Sequence, residues 1–116
     1  MSAHSVRRTP WGRWQVLLRS SGYQVKQLVV NPGHRFSLQF HYHRSEHWVV
    51  VAGSGRMILG PSTFKAVPGR HFFIPQRVQH RLQNTGKTPL VVIEVQRGAY
   101  LGEEDIVRLQ DDYHRV

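Results

Sequence analysis

The chain has 116 residues, enough to bury one core, and it reads as a single domain over 1–116. A hydrophobic content of 40% in alternating runs excludes disorder, and the lack of cysteine excludes disulfides and thiolate metal sites. The formal charge is +9, with 13 of 16 cations being arginine; this favours an anionic partner, but the arginines are spread along the chain, which argues against nucleic acid.

No apolar run approaches the roughly 18 residues of a membrane span. The opening MSAHSVRRTPWGRW has no signal-peptide core, so a cytoplasmic protein that engages no membrane is expected.

In chain order, alternation predicts strands over 14–18 and 25–30, parted by Ser21-Gly22. Asn31-Pro32-Gly33 then leads into strands at 36–40 and 47–51. Gly53-Ser54-Gly55 precedes a strand at 56–59, and Gly60-Pro61 and Pro68-Gly69 precede one at 70–74. Two more follow at 80–83 and 90–95, around Asn84-Thr85-Gly86. Many short strands at this spacing predict an all-β sandwich or barrel. Residues 103–109, acidic at the start and with Arg108 near the end, predict a short C-terminal helix capping one barrel mouth.

The segment Gln39-Phe40-His41-Tyr42-His43-Arg44-Ser45-Glu46-His47-Trp48 carries three of the eight histidines and a glutamate. In a strand, residues two apart share a face, so Gln39 and His41 point together, away from Leu38 and Phe40. Glu46 opens the next strand after a tight turn. An amide oxygen, an imidazole and a carboxylate thereby converge, and His80, in a later strand, is the fourth expected ligand. Such donors suit Zn, Mn, Fe, Co or Ni, with positions left open for substrate.

The spacing closely resembles the cupin superfamily. The first cupin motif is matched by Gly33, five residues, Gln39-x-His41, four residues, Glu46, six residues and Gly53. The second is matched by Gly69, five residues, Pro75-x-Arg77, two residues, His80, three residues and Asn84. The departures are Gln39 for the first histidine and Arg77 for a glycine, where a positive φ costs a non-glycine residue some strain. The runs SLQFHYHRSEHW, HRLQNTG and YLGEEDIVR look like the cupin domain of type II mannose-6-phosphate isomerases. Tyr42 stands where that family has His, and Thr9 where it has Arg.

The resemblance implies a double-stranded β-helix, the jelly-roll barrel of cupins. It implies one divalent ion, zinc first, on Gln39, His41, Glu46 and His80, with Gln39 an expected ligand. The activity implied is interconversion of mannose 6-phosphate and fructose 6-phosphate. Such domains form the C-terminal part of bifunctional enzymes that also carry a mannose-1-phosphate guanylyltransferase, an activity not expected of these 116 residues. An isomerase needs a base near the carbon proton, for which His43, His47 and Glu94 are candidates. It needs a cation for the sugar phosphate: Arg44 first, Arg77 second, then Arg81 and Lys87. Trp48, on the Glu46 face, is expected to line the cavity or the core. Alternatives are a non-catalytic metal- and sugar-binding module, or another cupin metalloenzyme such as a dioxygenase, against which Gln39 speaks. A homodimer is expected, through sheet edges and exchange of the N-terminal strand region.

Overall fold

The structure, a computed structural model, describes residues 6–115. Residues 1–5, the start of the stretch read above for an export signal, lie outside the described residues.

In chain order the strands are β1 (Val6–Thr9), β2 (Gly12–Ser20), β3 (Tyr23–Val30), β4 (Leu38–His41), β5 (Arg44–Ala52) and β6 (Gly55–Leu59). They continue as β7 (Ser62–Ala66), β8 (His71–Ile74), β9 (His80–Asn84), β10 (Leu90–Gly98) and β11 (Ile106–Gln110). Two antiparallel sheets result, ordered β1-β2-β3-β10-β5-β8 and β11-β4-β9-β6-β7. This is the expected double-stranded β-helix. Among the described residues no helix is long and apolar enough to cross a membrane.

Pairing follows alternation. Leu28, Trp48, Val50, Leu90 and Val92 point inward from the first sheet, and Met57, Ala66 and Leu82 meet them from the second. Fully burying each large apolar side chain stabilises the fold by about 1.5–3 kcal/mol.

The inward residues of three adjacent strands change character halfway along. In β10, Leu90 and Val92 give way to Glu94 and Gln96; in β3, Val30 and Leu28 give way to Lys26 and Gln24; in β5, Val50 and Trp48 give way to Glu46 and Arg44. Register aligns these changes: Glu94 lies across from Lys26 and Trp48, and Gln96 across from Gln24 and Glu46. One end of the barrel is therefore an apolar floor and the other a polar cavity.

The expected C-terminal helix is corrected. Only Glu103–Asp105 is helical, as one 3-10 turn, and Ile106–Gln110 is a strand on β4. Seven residues are too few for a stable helix in water. Ile106 and Val107 are β-branched, and their pairing covers the otherwise open edge of β4. β1 and β7 are further strands that the alternation did not predict.

Arg77 has φ 67°, the left-handed conformation that a glycine would hold without strain. Its N–H donates to the His41 carbonyl at 2.7 Å, tying the β8–β9 loop to the end of β4.

Candidate metal centre

His41 ends β4, Glu46 sits third in β5 and His80 opens β9. All three are buried, and one donor atom from each lies within 4.8 Å of the others. His41 Nε2 is 3.5 Å from Glu46 Oε2, and His80 Nε2 is 3.8 Å from Glu46 Oε1. Gln39 is the backbone partner of His80 across β4–β9, and its Oε1 accepts a 2.7 Å bond from the Ser37 hydroxyl.

The groups around these side chains set their chemistry. His80 Nδ1 lies 3.0 Å from the Val78 carbonyl, which can only accept, so the proton sits on Nδ1 and the Nε2 lone pair faces the cluster. Trp48 Nε1–H donates to Glu46 Oε1 at 3.1 Å, and Arg44 Nε–H to Oε2 at 2.8 Å, fixing the carboxylate plane. Burial pushes the His80 pKa down to about 4. Burial, with the Arg44 charge alongside, pushes His41 down to about 2. Both rings are thus neutral at physiological pH, as metal ligands must be.

His41 Nδ1 and His80 Nε2 are buried without a hydrogen-bond partner. Each unmet polar group costs about 1–3 kcal/mol. His80 Nε2 faces the cluster with no partner, and His41 Nε2, the nitrogen that faces Glu46, also lies 3.4 Å from Arg44 Nη2; with the carboxylate and the adjacent amide oxygen these neutral rings fit a divalent first-row ion.

A cavity adjoins this cluster. Trp14, Leu28, Phe36 and Trp48 form its apolar wall, while Lys26, Gln39, Arg44 and Glu94 are among its polar groups. Glu94 is 3% exposed, and burial, with the Glu46 charge nearby, pushes its pKa up to about 8. Gln24 Nε2 donates to Gln96 Oε1 at 2.5 Å, and Gln96 Nε2 in turn donates to Glu94 Oε1, a relay that fixes the carboxyl.

The other expected site residues, Arg44 excepted, lie elsewhere. His43 is exposed in the β4–β5 turn, 4.0 Å from Asp105. His47 points out of the barrel, its Nδ1 3.0 Å from His71 Nε2. Arg77 is exposed, its guanidinium 5.8 Å from the Tyr42 ring centroid. Arg81 also faces outward, buried and donating to the carbonyls of Phe36 at 2.9 Å and Gln110 at 3.0 Å. Lys87 is exposed in the loop before Leu90, at the floor end. Arg44 does line the cavity, with its guanidinium committed to Glu46.

Four charged cavity residues were not anticipated: Lys26, Glu103, Arg108 and Arg115. Lys26 pairs with Glu103 at 2.7 Å and lies over the Trp14 ring. The signal for it was present, since Lys26 is in phase with the inward Leu28 and Val30, and an inward lysine needs a partner. Asp105 was missed as well. It accepts the Tyr42 and His43 N–H groups at 3.1 and 3.0 Å and so sets the turn between His41 and Glu46.

The chain is 43% identical over 106 residues to a mannose-1-phosphate guanylyltransferase of Klebsiella pneumoniae, covering 91% of this chain and 22% of that protein. It is 47% identical over 107 residues to the alginate biosynthesis protein AlgA of Pseudomonas aeruginosa, covering 92% and 22%. The chain therefore spans under a quarter of the length of these relatives. Among solved structures, the capsular polysaccharide assembling protein CapF of Staphylococcus aureus superposes with a TM-score of 0.80 at 19% identity, over 95% of this chain and 35% of that one, which shows a shared fold. The family described as mannose-6-phosphate isomerase C-terminal matches residues 1–111, and the chain, a cupin domain, belongs to it.

Proposed function

We propose that this domain is a metal-dependent aldose–ketose isomerase that interconverts mannose 6-phosphate and fructose 6-phosphate. The observation that carries this reading is the buried His41, Glu46 and His80 cluster, with His80 Nε2 facing it unpartnered, set beside a cavity that also presents Glu94.

Gln39, His41, Glu46 and His80 would hold the ion, with zinc the first choice and Mn, Co, Ni or Fe the alternatives. A bound divalent ion supplies Lewis-acid polarisation of the sugar carbonyl. The reaction is redox-neutral overall. One proton leaves C2 and one arrives at C1, while a hydroxyl proton passes from O2 to O1. Glu94 is the base for the carbon proton. A carboxyl with its pKa near 8 is poised close to working pH, where general bases are most effective. Gln96 aims it. Trp14 and Phe36 wall the cavity and exclude water from the intermediate.

The test is a coupled assay of fructose 6-phosphate formation from mannose 6-phosphate, with the chain reconstituted in turn with each ion. Turnover is expected in the parent, a loss of about 100-fold or more in Glu94→Gln, and none in His80→Ala. Stoichiometric metal without turnover on any hexose phosphate would favour a binding module and refute the isomerase.

A further inference from the structure

The cations lining the cavity are not equivalent. Lys26 is paired with Glu103 at 2.7 Å, Arg44 with Glu46 at 2.8 Å, and Arg115 with Asp111 through two guanidinium contacts of 2.7 and 3.0 Å. Arg108 is the exception. Among the described residues its guanidinium has no ion pair and no hydrogen bond, and its Nε is buried without a partner. An arginine N–H withdrawn from water and left unmet is costly unless a ligand meets it.

Its position follows from register. Arg108 on β11 pairs with Gln39 on β4, and Gln39 pairs with His80 on β9. The three form one inward row, ending in an irregularity of pairing just after Arg108. Two strand spacings, about 9.6 Å, separate the backbones of His80 and Arg108. An anion held by Arg108 would therefore sit on the far side of Gln39 from His80. That arrangement suits a ligand whose reacting carbons lie at one end and whose charge lies at the other. Arg115 also lines the cavity; burial, with the Arg115 charge close by, pulls the Arg108 pKa below the ordinary guanidinium value. Asp111 is paired with Arg115, and Glu103, whose charge also reaches Arg108, is paired with Lys26, so three cations face two carboxylates and one positive charge is left to be neutralised.

We propose that Arg108, supported by Arg115, is the phosphate-holding group of this cavity, and that Asp111 keeps Arg115 oriented beside it. The inference rests on the isomerase reading for the identity of the substrate, though not for the anion. A phosphate monoester offers three oxygens to the planar arginine fork, and Arg108 has donors free to meet them. Arg44, the first choice from sequence, is already neutralised by Glu46.

The test uses the zinc-loaded full chain and isothermal titration with mannose 6-phosphate and with unphosphorylated mannose. The parent should bind the phosphorylated sugar more tightly. Arg108→Gln should weaken that binding by at least about tenfold, with mannose and zinc binding unchanged. Arg77→Gln, on the exposed loop, should bind as the parent does. Arg108→Lys, which keeps charge and stem but loses the fork, should lose several-fold, and it serves if the glutamine variant does not fold. Parental affinity in both Arg108 variants would overturn the assignment, as would a parent with no preference for the phosphorylated sugar. Arg108-dependent binding without turnover would sink the isomerase reading and leave the phosphate site standing. Turnover with an unchanged KM in Arg108→Gln would do the reverse.

Discussion

Holding His80 neutral has a stability consequence that can be measured on metal-free protein. In the fold its pKa is about 4, against 6.5 for the free side chain. As pH falls below 6.5 the unfolded chain takes up a proton on this histidine, whereas the folded chain does not until about pH 4. The fold is therefore at full strength, as far as this group is concerned, above 6.5 and weakens steadily down to about 4. At 1.36 kcal/mol per pH unit the gap amounts to about 3 kcal/mol, a large part of a typical domain's 5–15 kcal/mol. Glu94 pulls in the opposite direction: with its pKa raised to about 8, the fold binds its proton first and gains stability on acidification. The prediction is therefore a difference between two proteins that both keep Glu94. His80→Asn retains a donor for the Val78 carbonyl but cannot titrate. Urea unfolding of chelator-treated parent and variant, at about pH 7.5 and about pH 4.5, should show the variant gaining roughly 3 kcal/mol on the parent over that interval. Parallel loss in the two proteins would refute the claim that the fold holds His80 neutral.

Trp48→Phe keeps a ring against Phe36 but removes the donor to Glu46 Oε1, so zinc affinity should fall about 10–100-fold by calorimetry, together with a fall in Tm from the smaller buried ring and the unmet carboxylate oxygen. Asn84→Ala removes a bond to the buried Val30 carbonyl, one to the Thr88 carbonyl and one from the Gly86 N–H. The cost should be about 3 kcal/mol, seen as a fall in Tm of roughly 10 °C or more. Gly53→Ala places a Cβ 2.5 Å from the Pro89 carbonyl oxygen at φ +85°; a loss of about 2 kcal/mol or more is expected in the same melt.

Much of the fold was legible because alternation and turn residues agree. Trp48, Val50, Leu90 and Val92 are in phase in the sequence and meet in the core. The error at 103–109 has a clear cause. An acidic start and a terminal arginine are local signals, whereas the need of β4 for an edge partner is a tertiary one, and the tertiary term wins over a weak seven-residue helix. The convergence of His41, Glu46 and His80 followed from spacing, since a short turn and two strand ends leave few other arrangements. The phosphate candidates fared differently. In the sequence Arg44 and Lys87 stand in loops, Arg77 replaces a motif glycine and Arg81 follows His80, all of them local features. Which arginine has a carboxylate of its own is decided across strands, and Arg108 enters the cavity only because β11 is a strand. Glu94 was legible as an inward carboxylate in an apolar strand; its relay from Gln24 through Gln96 depends on register between β3 and β10 that no single segment displays.

The most direct measurement is calorimetric titration of chelator-treated chain with zinc, on the parent and on Glu46→Gln, which keeps the side-chain shape and removes the charge. One ion per chain is expected in the parent, with a loss of affinity in the variant of about 100-fold or more, as removing a direct ligand should exceed the effect of an outer partner. A parent that takes up no ion, or a variant that binds as tightly as the parent, would contradict a metal centre at His41, Glu46 and His80.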